Sequence, residues 1–205
     1  MSRPKVQNRA GITLPEVVIA ALILGILTGV LFYLFRSGIV SLKKVENQSS
    51  LIRELQLISL KISEEVRQST ASSMSTSVDG RVLAFLSAVE ETSGEFQVDE
   101  FGRPEWQKYV VFYHDTSDLT IRRLIVDYTP VLRTDAITLE EYGGSALDNY
   151  IGTNNPAPVA HDISHCEWEV ESSTLLRFKL ESEKIRYQGT DKERKTITSR
   201  IYLRN

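Results

Sequence analysis

His161-Asp162-Ile163-Ser164-His165-Cys166 is the densest run of metal-ligating side chains in this chain. Its two histidines are four apart, so they share a face on a helix and, because the separation is even, also on a strand. Zinc would need one or two further ligands at suitable distance. His-Glu-x-x-His is absent, and the remaining histidine, His114, lies far off in sequence. The run therefore reads as a loop entering a strand. Adjacent carboxylates at Glu90-Glu91, Asp99-Glu100 and Glu140-Glu141 have the chemistry for acid–base work or calcium binding. In loops of an acidic protein they read first as solvated charges. Cys166 is the sole cysteine. It has no partner for an intramolecular disulfide and reads as a small buried residue. Gly-x-Ser-x-Gly, the P-loop and Gly-x-Gly-x-x-Gly are all absent. No catalytic residue, metal or cofactor is expected.

A different chemistry attaches to Glu16. It borders Val17–Phe35, nineteen residues without Asp, Glu, Lys or Arg. A bilayer core of about 30 Å needs roughly 20 apolar residues in a helix. A carboxylate at the edge of such a span is costly unless paired. Locally, Thr13-Leu14-Pro15-Glu16 is also a capping box, with Thr and Glu satisfying orphan N–H groups of the first helical turn. Pro15 fits there because first-turn N–H groups lack intrahelical partners. Arg3, Lys5 and Arg9 precede the span and favour a cytoplasmic N-terminus, although Arg36, Lys43 and Lys44 follow it. The run is longer than the apolar stretch of a secretory signal peptide.

Basic leader, Gly11, Ile12, lone Glu16 and uncharged helix together resemble the prepilin signal of the type IV pilin and pseudopilin superfamily. The family more often has Phe at the position of Ile12 and an aliphatic residue at Pro15. The resemblance implies that a prepilin peptidase cuts between Gly11 and Ile12, and that the new amine of Ile12 is methylated. It implies a single-pass protein of the bacterial inner membrane with its C-terminal head outside the cytoplasm. It also implies that Glu16 pairs with the N-terminal amine of a neighbouring pilin or pseudopilin during assembly.

The remaining elements follow from periodicity. Leu42, Val45, Ile52, Leu55, Ile58, Ile62 and Val66 recur at helical spacing among charged residues, which predicts an amphipathic continuation of the same helix. No proline interrupts it between Pro15 and Pro104. Hydroxyl residues from Ser69 to Ser77 compete for backbone hydrogen bonds and predict its end near Ser69. Strand patterns follow at Arg81–Val89, Lys108–His114, Thr120–Tyr128, Ile163–Val170, Thr174–Leu180, Lys184–Tyr187 and Thr196–Leu203. Short connections imply antiparallel pairing. Residues 129–162 read as a long loop with a short helix around Asp135–Tyr142. The expected fold is α+β: a long transmembrane and amphipathic N-terminal helix packed on an antiparallel β-sheet head, as in pilins. The divisions are leader 1–11, membrane half of the helix 12–36, amphipathic half and linker 37–77, and head 78–205.

The hairpin from Tyr109 to Arg122-Arg123 and the closing Arg200–Asn205 resemble the J-type minor pseudopilin of type II secretion and its type IV minor-pilin relatives. The formal charge is -3. Removing Arg3, Lys5 and Arg9 with the leader would make it -6, a poor balance for neutralising phosphates, so no nucleic-acid partner is expected. The sequence points to an assembly subunit and not to an enzyme. Its expected partners are other pilins or pseudopilins, the prepilin peptidase and the inner membrane. A minor type IV pilin for pilus assembly, motility or DNA uptake is the alternative within this class. A membrane-anchored extracytoplasmic enzyme or binding domain is the alternative outside it.

Overall fold

A computed structural model of the chain describes residues 13–129, 134–185 and 192–203. One helix, α1, runs from Leu14 to Val66, 53 residues. The chain divides into two compact units, with the boundary between Val45 and Glu46. In the first unit, every described residue of α1 is exposed. In the second, α1 buries Leu51, Leu55, Ile58, Ile62 and Val66, spaced four, three, four and four. That spacing keeps one stripe in register with 3.6 residues per turn. Of the expected stripe, Leu42 and Val45 are exposed and Ile52 is 40% exposed, whereas Leu51 is fully buried. Leu51 lies one turn before Leu55, and Ile52 is rotated about 100° away.

The helix ends three residues earlier than expected. Gln68 and Ser69 donate their amides three residues back, to Glu65 and Val66, which tightens the last turn. The hydroxyl segment then crosses to the sheet as a buried structural link. Ser69 and Ser73 are joined through their hydroxyls at 3.0 Å. Ser77 Oγ accepts from the Val82 amide at 2.9 Å and from the Arg81 amide at 3.1 Å.

The first sheet contains β1 (Ser75–Thr76), β2 (Val82–Ser87), β3 (Lys108–Asp115), β4 (Thr120–Asp127) and β5 (Pro158–Ala160), in that order. The second contains β6 (Ile163–Ser172), β7 (Leu175–Ile185) and β8 (Lys192–Tyr202), also in order. All the strand pairs are antiparallel. The protein is thus α+β, with the second half of a long N-terminal helix packed on antiparallel sheets. The expected strands Thr174–Leu180 and Lys184–Tyr187 form one strand through Ile185; positions 186–187 lie outside the described residues.

The strands β2 and β3 bury both faces, because alternate side chains enter two separate cores. Leu83, Phe85, Val110 and Phe112 meet α1 together with Trp168, Phe178 and Leu180 of the second sheet. Ala84, Leu86, Tyr109, Val111 and Tyr113 meet Trp106, Tyr128, Leu139 and Leu147 on the other side. Part of the stretch expected to be a loop therefore covers a sheet face. It contains a short helix, α2 (Leu139–Gly143), started by a complete Thr138–Glu141 capping box. Tyr109 Oη donates to the Ile137 carbonyl at 2.9 Å, and Tyr128 Oη to the Asp135 carbonyl at 2.8 Å. Buried phenols need such partners.

The two sheets are joined by hydrogen bonds at Ile163 and Trp168. The amide of Ile163 donates to the Leu119 carbonyl at 2.8 Å, and that of Trp168 to the Gly80 carbonyl at 2.9 Å. Leu119 has φ +57°, an unusual conformation for a bulky residue, and Gly80 has φ +68°. His114 Nε2 lies 2.7 Å from the Ile163 carbonyl, which makes the buried ring a donor. Burial lowers the His114 pKa below its usual 6.5, more than the Ile163 bond raises it. The unfolded chain therefore takes up this proton at a higher pH than the fold does. Stability from His114 is complete above about 6.5 and declines as pH falls from there toward the folded value. Urea unfolding at pH 7.5 and 5.0 is expected to show a lower midpoint at pH 5.0 and a smaller difference in His114→Gln. An unchanged difference in the variant would assign the effect to other groups.

Candidate functional site

The start of α1 places Glu16 in its first turn. The helix opens with Val17 donating its amide to the Thr13 carbonyl at 3.3 Å. One carboxylate oxygen of Glu16 accepts from the Thr13 amide at 2.8 Å and from the Thr13 hydroxyl at 3.0 Å. This differs from the capping box expected, because the hydroxyl donates to the carboxylate. Thr13 and Glu16 thus close the helix end together. Gly11 and Ile12, the expected cleavage and methylation positions, lie outside the described residues.

Beyond Glu16, α1 is long and apolar enough to cross a membrane. Its apolar side chains are exposed all round, from Val17, Leu22 and Ile23 through Phe32 and Phe35. A helix apolar on every face needs an apolar surrounding, either lipid or other helices. Thr28, the one hydroxyl among the uncharged positions before Tyr33, donates to the Leu24 carbonyl at 2.8 Å and is satisfied within the helix.

The other candidate groups occupy separate structural roles. His165 and Cys166 are neighbours on β6 and point to opposite faces. His165 is exposed, whereas Cys166 is buried in the core and burial pushes its thiol well above the usual range. His161 precedes β6, separated from it by Asp162 at φ +57°, and its amide donates to Glu54 of α1 at 3.1 Å. Among the described residues, no three His, Cys, Asp or Glu side chains are grouped so as to hold a metal.

The paired acids are also engaged. Glu91 accepts from the nearly buried Lys108 at 2.7 Å. Asp99 folds the Asp99–Arg103 turn, accepting the Phe101 and Arg103 amides at 2.9 and 2.8 Å. Glu141 belongs to the capping box of α2. A cleft of about 540 Å³ beside Gly80 and Trp168 includes Asp79, Glu169 and Arg177. Asp79 is held by Arg81, and Glu169 by Arg177.

Two contacts were not anticipated from the sequence. Arg123 on β4 reaches Glu65 of α1 at 2.9 Å, tying helix to sheet. Its neighbour Arg122 points the other way, binding Asn155 Oδ1 and the Pro156 carbonyl, each at 2.7 Å, and the Asp118 carboxylate. Strand alternation at Arg122-Arg123 was the available signal; the partners, far away in sequence, were not readable. Comparison of the chain with protein-family models, with curated proteins and with solved structures found no match.

Proposed function

We propose that this chain is a minor pseudopilin, a structural subunit of the type II secretion pseudopilus acting in its tip or initiation complex. The observation that carries the reading is α1 itself. One uninterrupted helix starts at Leu14 with Glu16 in its first turn, exposes apolar side chains through the uncharged span, and then packs its last turns on a β head. Basic leader, Gly11, Ile12 and Glu16 supply the processing signature beside it.

In this reading prepilin peptidase cleaves before Ile12 and the new amine is methylated. The apolar half holds the subunit in the bacterial inner membrane, with the head on the periplasmic side. On assembly it leaves lipid for a bundle of other pseudopilin helices. The carboxylate of Glu16 then takes the amine of a neighbouring subunit as its cation. The head supplies contacts and no catalysis.

Deletion of the gene tests this assignment against that of a minor type IV pilin. Loss of protein secretion with normal twitching and transformation is expected. Normal secretion with lost twitching or DNA uptake would replace the pseudopilin by the pilin.

A further inference from the structure

We infer that the free edge of β8 accepts an extended, acidic strand from a partner protein. The first sheet ends in very short strands, β1 with two residues and β5 with three, the latter starting at Pro158. Short edges and proline resist strand addition. The far side of β6 is already bonded, through Ile163 to Leu119 and through Trp168 to Gly80. Among the described residues β8 is different: eleven residues, last in its sheet, paired only with β7.

The hydrogen-bond phase of this edge can be read from one contact. The amide of Leu203 donates to the Thr174 carbonyl at 2.8 Å. In the register that pairs Tyr202 with Leu175 and Ile201 with Leu176, odd-numbered β8 residues exchange bonds with β7. Even-numbered residues, Lys192 through Tyr202, therefore direct their N–H and C=O groups to the open side. Their side chains are also the exposed ones.

Charge selects the partner. Within this sheet, acids face bases across the strands: Glu167 opposes Lys179, Glu169 opposes Arg177, and Glu183 opposes Arg194. On β8 the even positions hold Lys192, Arg194 and Arg200 and no carboxylate. These side chains are 60–63% exposed and lean on carboxylates of the same sheet, Lys192 and Arg194 on Glu183 and Arg200 on Glu171, which leaves their outer sides open to a further strand. Arg200 directly opposes Arg177, a like-charge pair in which Arg177 also holds Glu169 while Arg200 shares Glu171 with it. Like charges directly opposite destabilise a sheet, and a carboxylate on a ninth strand would relieve this pair. A second copy fits less well, because pairing β8 with itself over its full length sets Arg194 against Arg200 twice. The occupant is therefore an extended segment with carboxylates at alternate positions, held by backbone bonds and cross-strand ion pairs.

The test uses the full chain in detergent micelles and a fluorescent peptide of about nine residues alternating valine and glutamate. Micromolar binding is expected, roughly tenfold tighter than for the valine–lysine counterpart. Thr198→Pro removes an N–H that points to the open edge and leaves the β7 ladder intact. It should weaken the glutamate peptide roughly tenfold or more with unchanged thermal unfolding, whereas Thr198→Ala should bind like the parent. Absence of binding up to about 1 mM, equal binding of the lysine peptide, or full binding by Thr198→Pro would overturn the proposal. Self-association abolished by Thr198→Pro would overturn it in favour of a second copy.

Discussion

Glu16→Ala is expected to leave cleavage before Ile12 and folding of the head intact while reducing incorporation into the filament roughly tenfold or more. Among the described residues the carboxylate is bonded to Thr13, so its removal takes away a helix cap. Loss of a cap is a modest local effect. In the proposed function, loss of the acidic group beside the uncharged span also removes the counter-ion for a neighbouring amine in a dry bundle. The two roles separate experimentally. Glu16→Gln keeps hydrogen-bonding capacity at the helix end and loses the charge, so it should resemble Glu16→Ala in assembly. Immunoblots of sheared filaments against membrane fractions provide the measurement. Normal incorporation of Glu16→Gln would mean that Glu16 is a cap only.

The largest stability effect is expected from Leu51→Ala, with Ile52→Ala as its control. Leu51 is fully buried on α1, and truncating such a residue costs about 2–5 kcal/mol through lost transfer energy and the cavity left behind. Ile52 is 40% exposed, and its truncation should cost about 1 kcal/mol or less. The two residues are adjacent and similarly apolar, so the contrast reports the rotation of α1 against the sheets. Denaturant midpoints of the two variants decide it. Equal losses would mean that Leu51 and Ile52 are buried alike and that α1 is rotated on the sheets.

This pair also shows what sequence could and could not provide. The continuity of α1 was legible, because no proline or long polar run interrupts it. The β hairpin of β3 and β4 was legible from Tyr109–Tyr113 and the Asp115–Asp118 turn, and its register pairs Val110 with Ile125. The choice of Leu51 over Ile52 was not, since both satisfy an approximate periodicity and only the packed sheet selects one. Residues 129–162 looked like a loop because their apolar groups are scattered. Leu139 and Leu147 nonetheless cover a sheet face, and that relation is fixed by tertiary contact. The serine-rich segment looked like a linker because hydroxyls favour solvent and turns, yet Ser69, Ser73 and Ser77 use those hydroxyls inside the fold. At the candidate site, Glu16 stood out as an isolated charge beside an uncharged run. Its bond to Thr13 was readable, although the donor role of the hydroxyl was not.

In the proposed function, α1 begins as a processed pilin-type helix and not as an ordinary membrane anchor. Mass spectrometry of the protein purified from membranes tests it most directly. A mature chain that starts at Ile12 and carries a methylated amine is expected. A chain that still starts at Met1, with the leader attached, would contradict it.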